Sequence, residues 1–271
     1  MDKYTSRITP YTHVHHDPDA PILETQRLTV RYDGRPALEA VTFHLHAGER
    51  VAVVGPNGAG KSTLFKVIAG VLPPTSGEVK ISGYGPHGHI CIAYVPQRTQ
   101  VDWHFPASVD DVVMMGRIGR VGLFRWPRRA DWQTVRAALG AVDMLPLAGR
   151  QIGELSGGQQ QRMFLARALA QEAELVLMDE PLNGLDTPSQ EAILGVLDGL
   201  RQRKITVMVA THDLGQAARY FDRVLLLNRR LIRFGPPAEV LTADNLVAAY
   251  GGGFRLDQNG MVLVDECCPP D

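Results

Sequence analysis

Apolar and polar positions along this chain follow two rhythms, and the places where one gives way to the other divide it into elements. In "ILETQRLTVRYDG" (22–34) apolar residues alternate with polar ones, the period of a half-buried strand. "RPALEAVTFHLHAGERVAVVG" (35–55) predicts two more strands around a turn at Ala47 and Gly48. "GEVKISGY" and "HICIAYVPQ" read as further strands, the second buried and ending at Gln97, and a helix is predicted over 62–69. From about residue 98 to 155 the texture changes. "DDVVMMGRIGR", "RADWQTVRAALGAV" and "MLPLAGR" are short helical patterns separated by Gly and Pro, which predicts an inserted helical subdomain. Beyond it a helix opens near Ser156. The strand patterns "ELVLMD", "ITVMVATHD" and "DRVLLLN" then alternate with the helical patterns "PSQEAILGVLDGLRQR" and "LGQAARYF". Such alternation predicts an α/β fold with a largely parallel sheet. Residues 1–21 lack periodicity and predict a flexible arm. The folded unit spans 22–240 with a tail at 241–271, and residues from about 236 onward are expected to form a small helix and a mixed tail.

Composition narrows this picture. At 271 residues the chain can bury a substantial core, and its net charge of −1 gives no global signal for nucleic acid. No apolar run approaches the roughly 18–20 residues that span a bilayer, and the start lacks the apolar stretch of a secretory leader, which predicts a cytoplasmic chain. Three cysteines (Cys91, Cys267 and Cys268), without a framework spacing, fit reduced thiols. Arg117, Arg120, Arg125, Arg128 and Arg129 cluster near Trp126 and Trp132. Apolar helix positions interrupt the charges, which predicts a solvated face and not a nucleic-acid surface.

The chemistry sits at the ends of the predicted strands. After "RVAVV" comes "GPNGAGKST", the pattern G-x-x-x-x-G-K-[ST] in the strand–loop–helix setting that a phosphate-binding loop requires. Gly55, Gly58 and Gly60 let the backbone of Gly55, Pro56, Asn57, Gly58, Ala59, Gly60 and Thr63 wrap close to phosphate oxygens. Lys61, one of five lysines against 23 arginines, is suited to bridge β- and γ-phosphates, and the Ser62 hydroxyl to ligate Mg²⁺. "LVLM" delivers Asp179, expected on Mg²⁺, and Glu180, expected to orient the attacking water. Gln97 and His212 each end an apolar strand. Gln97 can touch Mg²⁺ or the water, and His212 can donate to the γ-phosphate. Tyr32 is a candidate to stack on adenine. In "LSGGQ" one helix cap needs only the Ser156 oxygen, yet two glycines follow where better helix formers were available; bare amides at a helix start suit an anion.

"GPNGAGKST", Gln97, "LSGGQ", "LVLMDEP", "LNGLD" and His212, in this order, resemble the ATPase subunit of an ATP-binding cassette (ABC) transporter over about residues 22–240. The resemblance implies a P-loop core with a mainly parallel sheet, an antiparallel β subdomain and the inserted helical subdomain. It also implies a homodimer in which Ser156, Gly157, Gly158 and Gln159 of one copy face the ATP held by the other, with Asp186 across the interface. "YVPQRTQVDWHFPASVDDVVMMGR" is similar to the cassettes of manganese, zinc and iron importers. This implies a membrane permease as partner, a place on the inner face of the membrane, and an extracytoplasmic metal-binding protein acting indirectly. A soluble ABC ATPase of the iron–sulfur assembly type, or an importer of another substrate, is the alternative.

Overall fold

The computed structural model describes residues 20–85, 91–97, 101–122, 125–251, 254–257 and 260–263, the last two spans by backbone alone. Residues 1–19 of the expected arm, with His13, His15 and His16, lie outside the described residues, as do Cys267 and Cys268.

Three antiparallel strands, β1 (Leu23–Tyr32), β2 (Arg35–Leu45) and β4 (Ser76–Ile81), form a sheet of order β2-β1-β4. Leu23, Thr25, Leu28 and Val30 of β1 are buried, so its apolar alternation slips by one residue after Thr25. A bulge between Thr25 and Leu28, with Arg27 at φ 47°, absorbs the extra residue and returns Leu28 to the core.

The larger sheet has the order β5-β6-β7-β3-β8-β9. Its strands are β3 (Arg50–Val54), β5 (Ile92–Val95), β6 (Leu175–Asp179), β7 (Thr206–Thr211), β8 (Arg223–Asn228) and β9 (Arg230–Gly235). All neighbours pair in parallel except β9, which returns antiparallel to β8. Near-continuous apolar runs in β3, β6, β7 and β8 suit strands covered on both faces. Ala52 and Val54 of β3 point into one core while Val51 and Val53 point into the other. The second core is closed by α1 (Lys61–Ile68) and the antiparallel sheet. The first is closed by α5 (Gly157–Gln171), α6 (Thr187–Gln202), α7 (Leu214–Tyr220) and, from the helical insert, α2 (Val109–Met115) and α4 (Arg129–Gly140), while the short α3 (Ile118–Val121) between them buries no residue. The chain continues through α8 (Pro237–Val240) and α9 (Ala243–Tyr250) to a hairpin, β10 (Phe254–Asp257) and β11 (Gly260–Leu263).

Two members of the arginine cluster depart from the expected solvated face. Arg117, its side chain only 11% exposed, bonds to Asp131 at 3.2 Å, and both it and Arg120 reach Glu172, at 3.2 and 2.8 Å. They tie the insert to the C-terminal end of α5. Arg125, Arg128 and Arg129 are exposed as expected.

Candidate functional site

Four neighbouring parallel strands, β5, β6, β7 and β3, end on the same edge of the main sheet, the position where open α/β sheets bind ligands. Each delivers one group of the candidate site: Gln97 just past β5, Asp179 and Glu180 from β6, His212 after β7, and the glycine loop after β3.

Sterics require two of the loop glycines. A Cβ on Gly55 would collide with the Leu227 carbonyl of β8. Gly60, at φ 98°, would place a Cβ 2.5 Å from the Ala37 carbonyl. Gly60 is also the N-cap of α1, where no side chain caps and no acid stands in the first turn, so the leading amides of the helix point into the loop without side-chain partners. Lys61 curls back into this loop and donates to Gly55 O at 2.7 Å and Pro56 O at 3.1 Å. Burial pushes its pKa down, opposed by the carboxylates of Glu180 and Asp179.

Asp179 is 2% exposed, and burial pushes its pKa up, against a hydrogen bond from Ser62 and the charge of Lys61. Its Oδ2 is buried with no hydrogen-bond partner. A buried carboxylate oxygen left open beside a serine hydroxyl is an all-oxygen donor pair, the kind Mg²⁺ takes, so these residues fit the ion that the sequence implies. Glu180 turns away from the strand at φ 51° and accepts at one oxygen from Gln97 Nε2 (3.0 Å) and Asn183 Nδ2 (2.6 Å). Glu180, Asn183 and His212 line one cleft of ≈ 190 Å³. His212 is exposed, as is Tyr32 at the end of β1.

Ser156 lies elsewhere, at the start of α5. Its hydroxyl accepts from Gln159 N at 3.3 Å while Gln159 Oε1 accepts from Ser156 N at 2.9 Å, a complete capping box. Gly158 has a packing reason of its own, since a Cβ there would lie 2.6 Å from Ser189 Oγ and 2.8 Å from Ser189 Cβ on α6. Gly158→Ala should therefore cost about 1–3 kcal/mol by overpacking, and Ser189→Gly in the same chain should recover most of it, read as thermal unfolding temperatures. Unfolding of the double variant at the temperature of the single one would count against this contact.

Asp186 is exposed at the N-cap of α6 and makes no capping bond. The loop that carries it is pinned by Gln190, whose Nε2 donates to Leu182 O (3.2 Å) and Leu185 O (3.1 Å) and whose Oε1 accepts from Gln216 (3.2 Å). Asn183 and Gln190 were not singled out from the sequence. For Asn183 the available signal was its place three residues after Glu180. Trp103 packs edge-on against Phe164 of α5 with ring centroids 5.8 Å apart, so Trp103 rests on the helix that Ser156 begins.

A strand-end glycine loop, a bare helix start, a buried lysine and two carboxylates at the next strand end but one define a nucleotide-hydrolysing P-loop domain. The chain belongs to the ABC transporter family, whose model matches residues 38–183, and is an ATPase of that family. It is 48% identical over 231 residues to the manganese transport system ATP-binding protein MntB of Bacillus subtilis, covering 85% of this chain and 92% of that protein. It is 46% identical over 231 residues to the zinc transport system ATP-binding protein TroB of Treponema pallidum, covering 85% and 87%. Among solved structures, the ADP conformation of MJ1267, an ATP-binding cassette of an ABC transporter, superposes with a TM-score of 0.75 at 25% identity, covering 86% of this chain and 99% of that one. Among the described residues no helix is long and apolar enough to cross a membrane.

Proposed function

We propose that this chain is the ATP-hydrolysing subunit of an importer for a transition-metal ion, manganese or zinc, docked as a homodimer on the inner face of the membrane beneath a separate permease. The observation that carries the cargo class is the 48% identity that runs along 92% of the manganese relative. The permease and an extracytoplasmic binding protein select the cargo, because the chemistry this chain displays is directed at phosphate.

In this reading Lys61 releases Gly55 O and Pro56 O to bridge the β- and γ-phosphates, while the amides of the 55–63 loop and of the start of α1 surround them. Ser62 and Asp179 hold Mg²⁺, which when bound neutralises charge on the phosphates. Glu180 orients the attacking water. The bonds from Gln97 and Asn183 to one of its oxygens leave the other for that water. His212 donates to the γ-phosphate, Tyr32 stacks on the adenine, and Ser156, Gly157, Gly158, Gln159 and Asp186 face the nucleotide of the opposite protomer. The test is the elemental content of cells lacking this chain, compared with cells carrying it and cells carrying Lys61→Ala. Loss of manganese or zinc that only the unaltered chain restores is the expected result; unchanged metals would overturn the cargo.

A further inference from the structure

The strand ends that deliver Glu180 and His212 lie side by side: Asp179 is the register partner of Ala210, and Glu180 N donates to Ala210 O at 3.1 Å. Beyond that bond the two backbones part. One runs through residues 180–186 to α6, the other through His212 and Asp213 to α7, and the cleft of ≈ 190 Å³ opens between them. Gln190 of α6 and Gln216 of α7 line the same cleft and meet across it, Gln216 Nε2 donating to Gln190 Oε1 at 3.2 Å.

Each glutamine is also fixed to its own wall. Gln190 Nε2 donates to Leu182 O (3.2 Å) and Leu185 O (3.1 Å), the residues that flank Asn183 and Gly184. Both hydrogens of that amide are thereby engaged, so its oxygen faces α7 and takes its donor from there. On the other wall Gln216 N donates to Asp213 Oδ1 at 2.8 Å, and Asp213 N to Thr211 Oγ1 at 3.1 Å, which ties the start of α7 to the end of β7 on both sides of His212. The strand pairing thus stops at Glu180, and the glutamine pair is what spans the gap beyond it. A misplacement of about 1 Å between reacting groups can cost on the order of 10²-fold in rate, so the spacing of these two loops matters to any chemistry between them. We infer that Gln190 and Gln216 are positioning residues of the hydrolytic site: their bridge holds the Glu180 loop and the His212 loop at the separation in which the attacking water meets the γ-phosphate. This rests on the roles proposed above for Glu180 and His212.

Gln216→Met in the full chain keeps the side-chain length and both bonds from Gln190 to its own loop, and removes only the bridge. kcat for ATP hydrolysis should fall about 3- to 10-fold, with KM for ATP within about twofold and the thermal unfolding temperature nearly unchanged, because Lys61 and the loop amides still hold the nucleotide. Gln190→Met should lower kcat as well, and Gln216→Met should add nothing further in that background. Gln190→Lys combined with Gln216→Glu puts three donor hydrogens between two carbonyls and a carboxylate, so the pair should return kcat to within about twofold of the parent. Gln216→Glu alone sets two acceptors face to face and should stay as slow as Gln216→Met. Parent-like kcat in Gln216→Met, independent addition of the two methionine effects, or a fall in kcat matched by a rise in KM and a loss of thermal stability would overturn the inference and leave Glu180 and His212 in their roles. Hydrolysis at the parent rate by Glu180→Gln would instead overturn the reading on which it rests.

Discussion

Glu180→Gln should lower kcat for ATP hydrolysis by about 10²- to 10⁴-fold and convert the chain into a dimer that ATP and Mg²⁺ stabilise. The substitution is close to isosteric. Its carbonyl oxygen can still accept from Gln97 and Asn183, which now meet Glu180 at 3.0 and 2.6 Å, so the turn at φ 51° has no reason to rearrange. What disappears is the negative charge that would polarise the attacking water. A protein that binds two ATP molecules across its interface and cannot cleave them should stay closed. Size-exclusion chromatography with ATP and Mg²⁺ checks this directly. Elution as a monomer, or hydrolysis near the parent rate, would remove Glu180 from the role given to it.

The second large effect belongs to Lys61→Ala, expected to weaken ATP binding about 10- to 100-fold, as the loss of charge-assisted hydrogen bonds to phosphate would. The change acts twice. It removes the ammonium, and it takes from Asp179 and Glu180 a cation that offsets them, leaving Lys66 to act on Asp179, so the site becomes more repulsive to a polyanion. Because Lys61 lowers the Asp179 pKa, its removal should also move the acid limit of Mg²⁺-dependent nucleotide binding to higher pH. Calorimetric titration at several pH values measures both effects. Parent-like affinity across that range would show that the loop holds phosphate without its lysine.

How much of this was legible in the sequence depends on how local each signal is. The phosphate loop, the mainly parallel sheet and the helical insert could be read because each is written in consecutive residues. The grouping of Gln97, Lys61, Asp179 and Glu180 was readable too, since parallel strands bring their carboxyl ends together whatever the loops between them do. β9 was missed: Arg230 and Arg233 break the apolar pattern of an edge strand that buries only part of one face. A small helix was expected from about residue 236 onward, but its place in the fold was not legible, because eight residues form a stable helix only through packing, and the surface that packs α9 lies on β8 and β9. The glycine at 158 looked like a ligand signal alone. Ser189, which also requires it, is thirty-one positions further on, and nothing at either position shows that the two helices touch. Two arginines expected in solvent are held by Asp131 and Glu172, partners on α4 and at the end of α5 that only the tertiary fold brings near.

The unpartnered oxygen of Asp179 makes occupancy a term in the protein's own folding equilibrium. In the proposed reading Ser62 and Asp179 hold Mg²⁺, so every bound nucleotide–metal complex stabilises the native state by mass action, about 2.7 kcal/mol at a hundredfold excess over the dissociation constant. Its resistance to heat and to proteases should therefore follow the energy state of the cell, firm when ATP is abundant and slack when it is depleted.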